Sequence, residues 1–115
     1  MNEQEFNNEL KQFTGSEVLY KYILGLKITL GVKKACELSS CWWFADILGS
    51  YQYKLIGEEF QVWKLRKIGE SKAIVICEDG NKNELIRQHI PYTDFPFSEL
   101  NFWCIKNIIL LPNEY

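Results

Sequence analysis

The sequence of 115 residues lacks long hydrophobic runs and a strong excess of charge of either sign. A membrane-spanning helix needs about 18 consecutive apolar residues, and the best candidate, residues 18–32, is interrupted by Lys21 and Lys27. The first residues are acidic, whereas a secretory signal begins with a basic and then an apolar region. The formal net charge of −2 disfavours a generally basic nucleic-acid-binding protein. We therefore expect a cytoplasmic protein that does not enter a membrane.

Recognisable metal-binding and catalytic motifs are also absent from the sequence. A single His excludes a Cys2His2 zinc site, and the lack of any Cys-x-x-Cys pair disfavours a zinc ribbon or a thioredoxin-like motif. No Gly-x-Ser-x-Gly nucleophile elbow occurs. We therefore expect no metal and no cofactor, and we expect the four cysteines to be buried free thiols in a reducing compartment. These residues are Cys36, Cys41, Cys77 and Cys104.

The residues that are present suit one folded domain spanning positions 1–115. Apolar residues make up 47% and aromatic residues 15% of the chain, which is too much for a disordered segment. Three Pro and seven Gly are too few for a linker or a fibre. A chain of this length buries roughly two-thirds of the surface of its unfolded state, so it can form a core without disulfides or metal.

Two helical segments are predicted in the N-terminal half of the chain. Residues 3–13 carry apolar side chains at helical spacing, with acidic residues near the start. A longer helix is predicted at about residues 30–50, with Thr29 as its N-cap. Ser39 and Ser40 could kink this helix or split it into two helices.

The remaining residues change to the alternating pattern of β-strands. The predicted fold class is therefore α+β, with two N-terminal helical segments packed on an antiparallel meander sheet of about five strands. The longer helix should lie on one face of this sheet and bury Trp42 or Trp43 there. Lys106 and Asn107 should form a two-residue hairpin connection, in which Asn tolerates a positive φ angle. The predicted strands cover residues 61–66, 72–77, 84–90, 102–105 and 108–111, and a further short strand could occur at residues 26–29.

Several short segments occur in a characteristic order along the chain. They are Phe13-Thr14-Gly15, Gly31-Val32-Lys33, Trp43-Phe44-Ala45-Asp46-Ile47, Phe60-Gln61-Val62-Trp63, Cys77-Glu78-Asp79-Gly80-Asn81, Tyr92-Thr93-Asp94-Phe95-Pro96 and Leu111-Pro112-Asn113-Glu114-Tyr115. With this set the sequence resembles a family of small bacterial proteins described only as a domain of unknown function, with members in bacterial, plasmid and phage genomes. The resemblance covers nearly the whole chain and implies that it ends naturally at Tyr115. It implies no activity, cofactor or catalytic residue, because the family has none established.

Asp46 and His89 are weak candidates for catalytic residues. Asp46 lies in an otherwise apolar helical segment, where a partly buried carboxyl group could act as a general acid or base. His89, the only His, could pair with Asp46 or Asp94, and Cys77 or Cys104 could be the nucleophile. The simpler interpretation is an Asp that is hydrogen-bonded to the backbone or to Lys, or faces water, and a half-exposed His on a strand.

A basic cluster on one predicted strand offers a candidate nucleic-acid site. Lys64 and Arg66 share one side of this strand, and Trp63 and Lys67 lie on the other side. A sheet face with basic and aromatic residues could bind single-stranded nucleic acid. The balance of acidic residues elsewhere favours instead a solvent-exposed sheet face that binds no ligand.

The aromatic segment 92–97, which contains proline, is a candidate partner-binding loop. Tyr92, Asp94 and Phe95 could contact a partner, because loops that combine exposed aromatic residues with a charge often do so. In the alternative interpretation, Phe95 and Phe97 fill the end of the core and Asp94 caps a turn.

Three functional hypotheses follow from the sequence. Small size and the lack of a catalytic constellation favour a non-enzymatic accessory protein that binds another protein, such as a mobile-element-encoded modulator of a host or defence component. The alternative is a single-stranded nucleic-acid-binding module that uses Lys64 and Arg66. The third hypothesis is a small enzyme that uses Asp46 and His89. A homodimer is compatible with each of them, because the edge strands of an open sheet need cover.

Overall fold

The structure of the chain, a computed structural model, describes residues 1–15 and 18–115 and has an α+β fold. The helices of this part of the chain are α1 (Glu3–Leu10), α2 (Leu30–Ser39) and α3 (Trp42–Tyr51). Its strands are β1 (Leu19–Lys21), β2 (Lys27–Thr29), β3 (Phe60–Lys67), β4 (Ala73–Asp79), β5 (Glu84–Ile90), β6 (Glu99–Ile105) and β7 (Ile108–Leu110). They form one sheet with the order β1-β2-β7-β6-β3-β4-β5. None of the helices in the described residues has the length and hydrophobicity of a membrane span.

The sheet differs from the predicted antiparallel meander of about five strands. It has seven strands and is mixed, because β2 pairs with β7 in parallel while the other neighbours are antiparallel. Strands β1 and β2 lie between α1 and α2, so the helices do not all precede the strands. The short strand expected at residues 26–29 is confirmed at Lys27–Thr29. The parallel pairing escaped prediction because it joins Ile28 to Ile109, which are distant in the sequence.

The helix predicted at residues 30–50 is divided into α2 and α3. The hydroxyl of Thr29 accepts a hydrogen bond from the N–H of Val32 (3.3 Å), which confirms Thr29 as the N-cap. Ser40 adopts the left-handed conformation (φ 55°) that commonly follows the last turn of a helix. The predicted break at Ser39 and Ser40 is therefore a true division of the helix.

The aromatic residue that α3 buries against the sheet is Phe44. Its ring is fully buried and stacks on Phe102 of β6, with 4.9 Å between the ring centroids. Trp42 and Trp43 are only partly buried, so the prediction that one of them fills this place is wrong. The reason is the break at Ser40. Because α3 begins a new helix after it, the helical spacing counted from α2 no longer applies, and a different set of side chains faces the sheet.

The sheet has an inner face, which packs against the helices, and an outer face. Side chains alternate between the two faces along each strand. In β3, Trp63 and Leu65 are fully buried on the inner face, whereas Lys64 and Arg66 lie on the outer face. Tyr51 of α3 packs against Trp63, with 6.1 Å between ring centroids. The core therefore lies between the inner face and the helices.

The C-terminal segment holds the start of α2. After β7, Pro112–Glu114 form a 3₁₀ turn that buries the carboxylate of Glu114. One carboxylate oxygen accepts hydrogen bonds from the hydroxyl of Thr29 (2.6 Å) and the N–H of Leu111 (2.9 Å). The other accepts from the N–H of Gly31 (3.2 Å), one of the first N–H groups of α2. An anion is favoured at this position, because these N–H groups have no partner within the helix and carry partial positive charge.

The predicted two-residue connection between β6 and β7 is confirmed. Lys106 (φ 50°) and Asn107 (φ 69°) both adopt the left-handed conformation that a type I′ hairpin turn requires. The turn pairs Ile105 of β6 with Ile108 of β7, so both side chains lie on the same face. This is the outer face, because the neighbouring pair Cys104 and Ile109 is buried on the inner face.

Candidate functional site

The two candidate catalytic residues lie on opposite sides of the sheet. Asp46 is exposed on α3, in the helical layer over the inner face, and accepts a hydrogen bond from the hydroxyl of Tyr22. His89 is exposed on the outer face of β5. Its neighbour Gln88 points to the inner face and accepts a hydrogen bond from the hydroxyl of Tyr51 (2.7 Å). The structure therefore does not bring Asp46 and His89 together.

Asp46 has a structural partner in Tyr22. Burial, together with the hydrogen bond to Asp46, raises the pKa of the Tyr22 hydroxyl far above its ordinary value, so this group remains a donor. The ring of Tyr22 also stacks on Trp42 of α3, with 5.9 Å between centroids. These contacts connect the segment after β1 to α3, and the partner of Asp46 is a tyrosine hydroxyl rather than the backbone or lysine partner that the simpler interpretation named.

The two cysteines considered as nucleophiles lie on the inner face of the sheet. All four cysteines are free and buried. Burial raises the pKa of Cys77 to about 12 and that of Cys104 to about 11. The thiolate is the nucleophilic form, so neither side chain is activated near neutral pH. Across residues 1–15 and 18–115, no group of three or more His, Cys, Asp or Glu side chains is arranged to hold a metal ion.

The loop after β5 turns its phenylalanines into the core. Phe95 and Phe97 are both buried. The hydroxyl of Thr93 accepts a hydrogen bond from the N–H of Phe95 (3.1 Å), so Thr93 and not Asp94 caps this turn. Of the three candidate partner-binding residues, Tyr92 and Asp94 are exposed and Phe95 is inaccessible from the surface.

The two basic candidates for nucleic-acid binding are engaged within the sheet. Lys64 Nζ lies 3.0 Å from Glu78 Oε1 of β4. Arg66 Nε lies 3.4 Å from Glu99 Oε2 of β6. Both side chains therefore have an acidic partner, and a phosphate group would have to compete with these carboxylates. The two partners come from different neighbouring strands, so the sequence pattern of β3 alone could not reveal them.

An aromatic cluster lies on the outer face beside the C-terminal turn. The ring of Trp103 of β6 lies 5.1 Å from that of Phe60 of β3 and 5.5 Å from that of Tyr115, measured between centroids. Phe60 and Trp103 are half-buried, and Tyr115 is 79% exposed. Among the described residues, α2 and α3 lie on the inner side of the sheet and α1 packs against α2, so the cluster is bordered by the C-terminal 3₁₀ turn and not by an α-helix.

Aliphatic side chains extend this cluster across the neighbouring strands. Trp103 is paired with Val62 on one side and with Leu110 on the other. Sequence reasoning missed this surface, although apolar residues at both alternating positions in the first half of β3 and the second half of β6 were a signal that both faces are apolar there. We call it the outer apolar patch, and it consists of Phe60, Val62, Trp103, Ile105, Ile108, Leu110 and Tyr115.

Comparisons with known proteins identify a family but assign no function. No curated protein and no solved structure matches the sequence. A family of unknown function, DUF6876, matches residues 4–115, which is nearly the whole chain. The match confirms the resemblance to a domain of unknown function. The chain belongs to the DUF6876 family.

Proposed function

We propose that this protein is a non-enzymatic interaction protein that binds another protein through the outer apolar patch. The observation that carries the proposal is the aromatic cluster of Phe60, Trp103 and Tyr115 on a sheet face that the described helices leave uncovered. Contiguous exposed apolar surface commonly marks a protein–protein contact. Trp and Tyr are also enriched among the residues that contribute most to the affinity of such contacts.

The placement of the other candidate residues favours this proposal over its two rivals. A small enzyme that uses Asp46 and His89 would need both groups at one site, and they lie on opposite sides of the sheet. A nucleic-acid-binding module that uses Lys64 and Arg66 would need free cations, and both side chains form ion pairs.

We extend the proposal to an accessory role in the cytoplasm, such as the modulation of a host or defence component. The separation of Asp46 and His89 among the described residues favours a role through binding over a role in catalysis. A homodimer is compatible with this role. Strand β5 (Glu84–Ile90) is at one end of the strand order, so a second copy could pair with it and leave the outer apolar patch accessible.

Affinity capture with two matched variants tests the proposal. Tagged wild-type protein, Tyr115→Ser and Tyr92→Ser are captured from the native cell with and without nuclease treatment, and partners are quantified by mass spectrometry. Tyr115 is 79% exposed and Tyr92 is 75% exposed, so neither substitution should disturb the core. We expect Tyr115→Ser to reduce recovery of a stoichiometric protein partner and Tyr92→Ser to leave it unchanged.

Other outcomes would point elsewhere. Loss of the partner with Tyr92→Ser alone would move the binding site to the loop after β5. Recovery of nucleic acid, or of partners that disappear on nuclease treatment, would favour the site at Lys64 and Arg66. Turnover of a substrate that Asp46→Asn abolishes would contradict a non-enzymatic function.

A further inference from the structure

Two exposed lysines border the outer apolar patch. Lys21 of β1 and Lys27 of β2 are directly opposite each other in the antiparallel register, and both are exposed. The neighbouring pair, Tyr20 and Ile28, faces the core, so the lysines point to the outer face. Neither lysine forms an ion pair with any residue that the structure describes. Like charges at opposite positions destabilise a sheet, and a negatively charged partner would remove this repulsion.

The lysines belong to the same row of side chains as the patch. Lys27 pairs with Ile108 of β7, and Ile108 pairs with Ile105 of β6. Residues paired across neighbouring strands point to the same face and lie about 5 Å apart. Along this row the cationic side chains of Lys21 and Lys27 are therefore followed directly by the apolar side chains of Ile108 and Ile105.

A shallow hollow lies at the apolar end of the row. It has a volume of about 190 Å³ and is lined by Ile105, Lys106, Ile108, Leu110 and Tyr115. Its lining is almost entirely apolar, so an apolar side chain of a partner would find apolar contacts there. Lys106, at the tip of the β6–β7 hairpin, is exposed and has no ion pair within residues 1–15 and 18–115.

We propose that the outer apolar patch binds an acidic peptide segment of a partner protein. One large apolar side chain of the segment occupies the hollow, and its Asp or Glu side chains lie over Lys21, Lys27 and Lys106. Charge complementarity of this kind gives an interface its specificity and accelerates association. This inference rests on the proposed function and adds the chemistry of the partner to it.

The same charges make a second copy of the chain a poor occupant of this patch. Two copies packed patch to patch would bring both sets of Lys21, Lys27 and Lys106 into one interface, because a two-fold contact uses the same surface twice. A phosphate group could neutralise the lysines but makes no apolar contact itself, so nucleic acid and anionic lipid are compared directly with the peptides in the test below. An acidic segment with an apolar anchor satisfies both parts of the surface.

Selection from a peptide library tests this inference. A phage library of random linear peptides of about twelve residues is selected on the immobilised full chain, and the enriched peptides are synthesised and titrated by calorimetry. The double variant Lys21→Glu/Lys27→Glu is compared with Lys72→Glu/Lys82→Glu, which changes two exposed lysines outside the patch. Both double variants must melt at the wild-type temperature.

We expect the enriched peptides to carry acidic residues around one large apolar residue. Reversing Lys21 and Lys27 should weaken their binding about tenfold, whereas the control double variant should bind within about twofold of wild type. No enrichment, enrichment of neutral or basic peptides, or equal weakening by both double variants would overturn the inference.

Two further experiments distinguish an acidic peptide from nucleic acid and anionic lipid, and distinguish failure of this inference from failure of the proposed function. Tighter binding of single-stranded oligodeoxythymidylate, or of phosphatidylglycerol vesicles, than of the enriched peptides would overturn the inference in favour of nucleic acid or membrane. If Tyr115→Ser abolishes capture of the native partner but reversal of Lys21 and Lys27 leaves it unchanged, the inference fails and the proposed function stands. Capture that Tyr115→Ser does not affect would instead remove the proposed function.

Discussion

Replacing the buried Glu114 with Ala should strongly destabilise the fold. The Glu114 carboxylate accepts hydrogen bonds from the hydroxyl of Thr29 and from the N–H groups of Gly31 and Leu111. Its side chain joins the C-terminal turn to the start of α2, and the residue is only 8% exposed. Truncation to Ala removes the acceptor and leaves three donors in a place that water reaches poorly.

The expected loss follows from these three donors. A buried donor without an acceptor costs about 1–3 kcal/mol. The hydroxyl of Thr29 can rotate towards another acceptor, so we take the lower end of this range and expect Glu114→Ala to reduce the free energy of unfolding by about 3–4 kcal/mol. Glu114→Gln keeps one acceptor oxygen for Thr29 and Leu111 but turns an N–H group towards Gly31, and should cost about 1–2 kcal/mol.

Urea unfolding followed by tryptophan fluorescence measures this loss. The melting temperature of Glu114→Ala should also fall by more than about 10 °C. Glu70→Ala is the matched control, because Glu70 is exposed in the β3–β4 connection and should change stability by less than about 0.5 kcal/mol. Gly31→Ala should also destabilise the fold, since a Cβ atom there would lie 2.6 Å from Glu114 Oε1. If Glu114→Ala stays within about 1 kcal/mol of wild type, the reasoning from unsatisfied donors is refuted.

Two further predictions concern the thiols and the helix break. Burial raises the pKa of Cys77 to about 12 and that of Cys104 to about 11, from an ordinary value of 9.0, so the folded chain binds more protons than the unfolded chain above pH 9. The contribution of these thiols to the free energy of unfolding, measured in urea, should therefore be complete below pH 9 and decrease as the pH rises towards 11. The decrease should be smaller in Cys77→Ala/Cys104→Ala. An equal decrease in both proteins would contradict the raised pKa values of the two thiols. Ser40→Gly should stabilise the chain by about 0.5–1 kcal/mol in thermal unfolding, because Ser40 has a positive φ angle (55°), whereas Ser50→Gly within α3 should destabilise it by a similar amount. The same sign for both changes would count against the left-handed conformation at Ser40.

The sequence predicted the local elements of the fold better than their assembly. Apolar runs and turn residues indicated β3, β4, β5 and the hairpin at Lys106 and Asn107. Thr29 indicated where α2 begins, whereas its end was only one of two options, a kink or a split, inside a longer predicted helix. These features depend on neighbouring residues only. The contact of β2 with β7 depends instead on the folded chain bringing Ile28 to Ile109, and no local pattern records that pairing.

The candidate site depends on the assembly in the same way. The alternation of β3 correctly placed Lys64 and Arg66 on one face, but the pattern could not show that β4 and β6 supply an acidic partner to each. The aromatic cluster combines Phe60, Trp103 and Tyr115, which meet because β6 lies next to β3 in the sheet. Predicting the candidate site from the sequence would therefore have required the order of the strands in the sheet.

The two halves of the outer face differ in whether their basic side chains have acidic partners. On β3, β4 and β5, Lys64 and Arg87 have carboxylate partners 3.0 Å and 2.6 Å away, so this half balances its own charges. On β1, β2 and β7, Lys21 and Lys27 oppose each other beside Ile108, and neither has an acidic partner among the described residues. A sheet that needed only a water-soluble face could use the first arrangement throughout. On the part of the chain that the structure describes, cations without an acidic partner border an apolar patch, and we base the proposed binding of an acidic segment on this asymmetry.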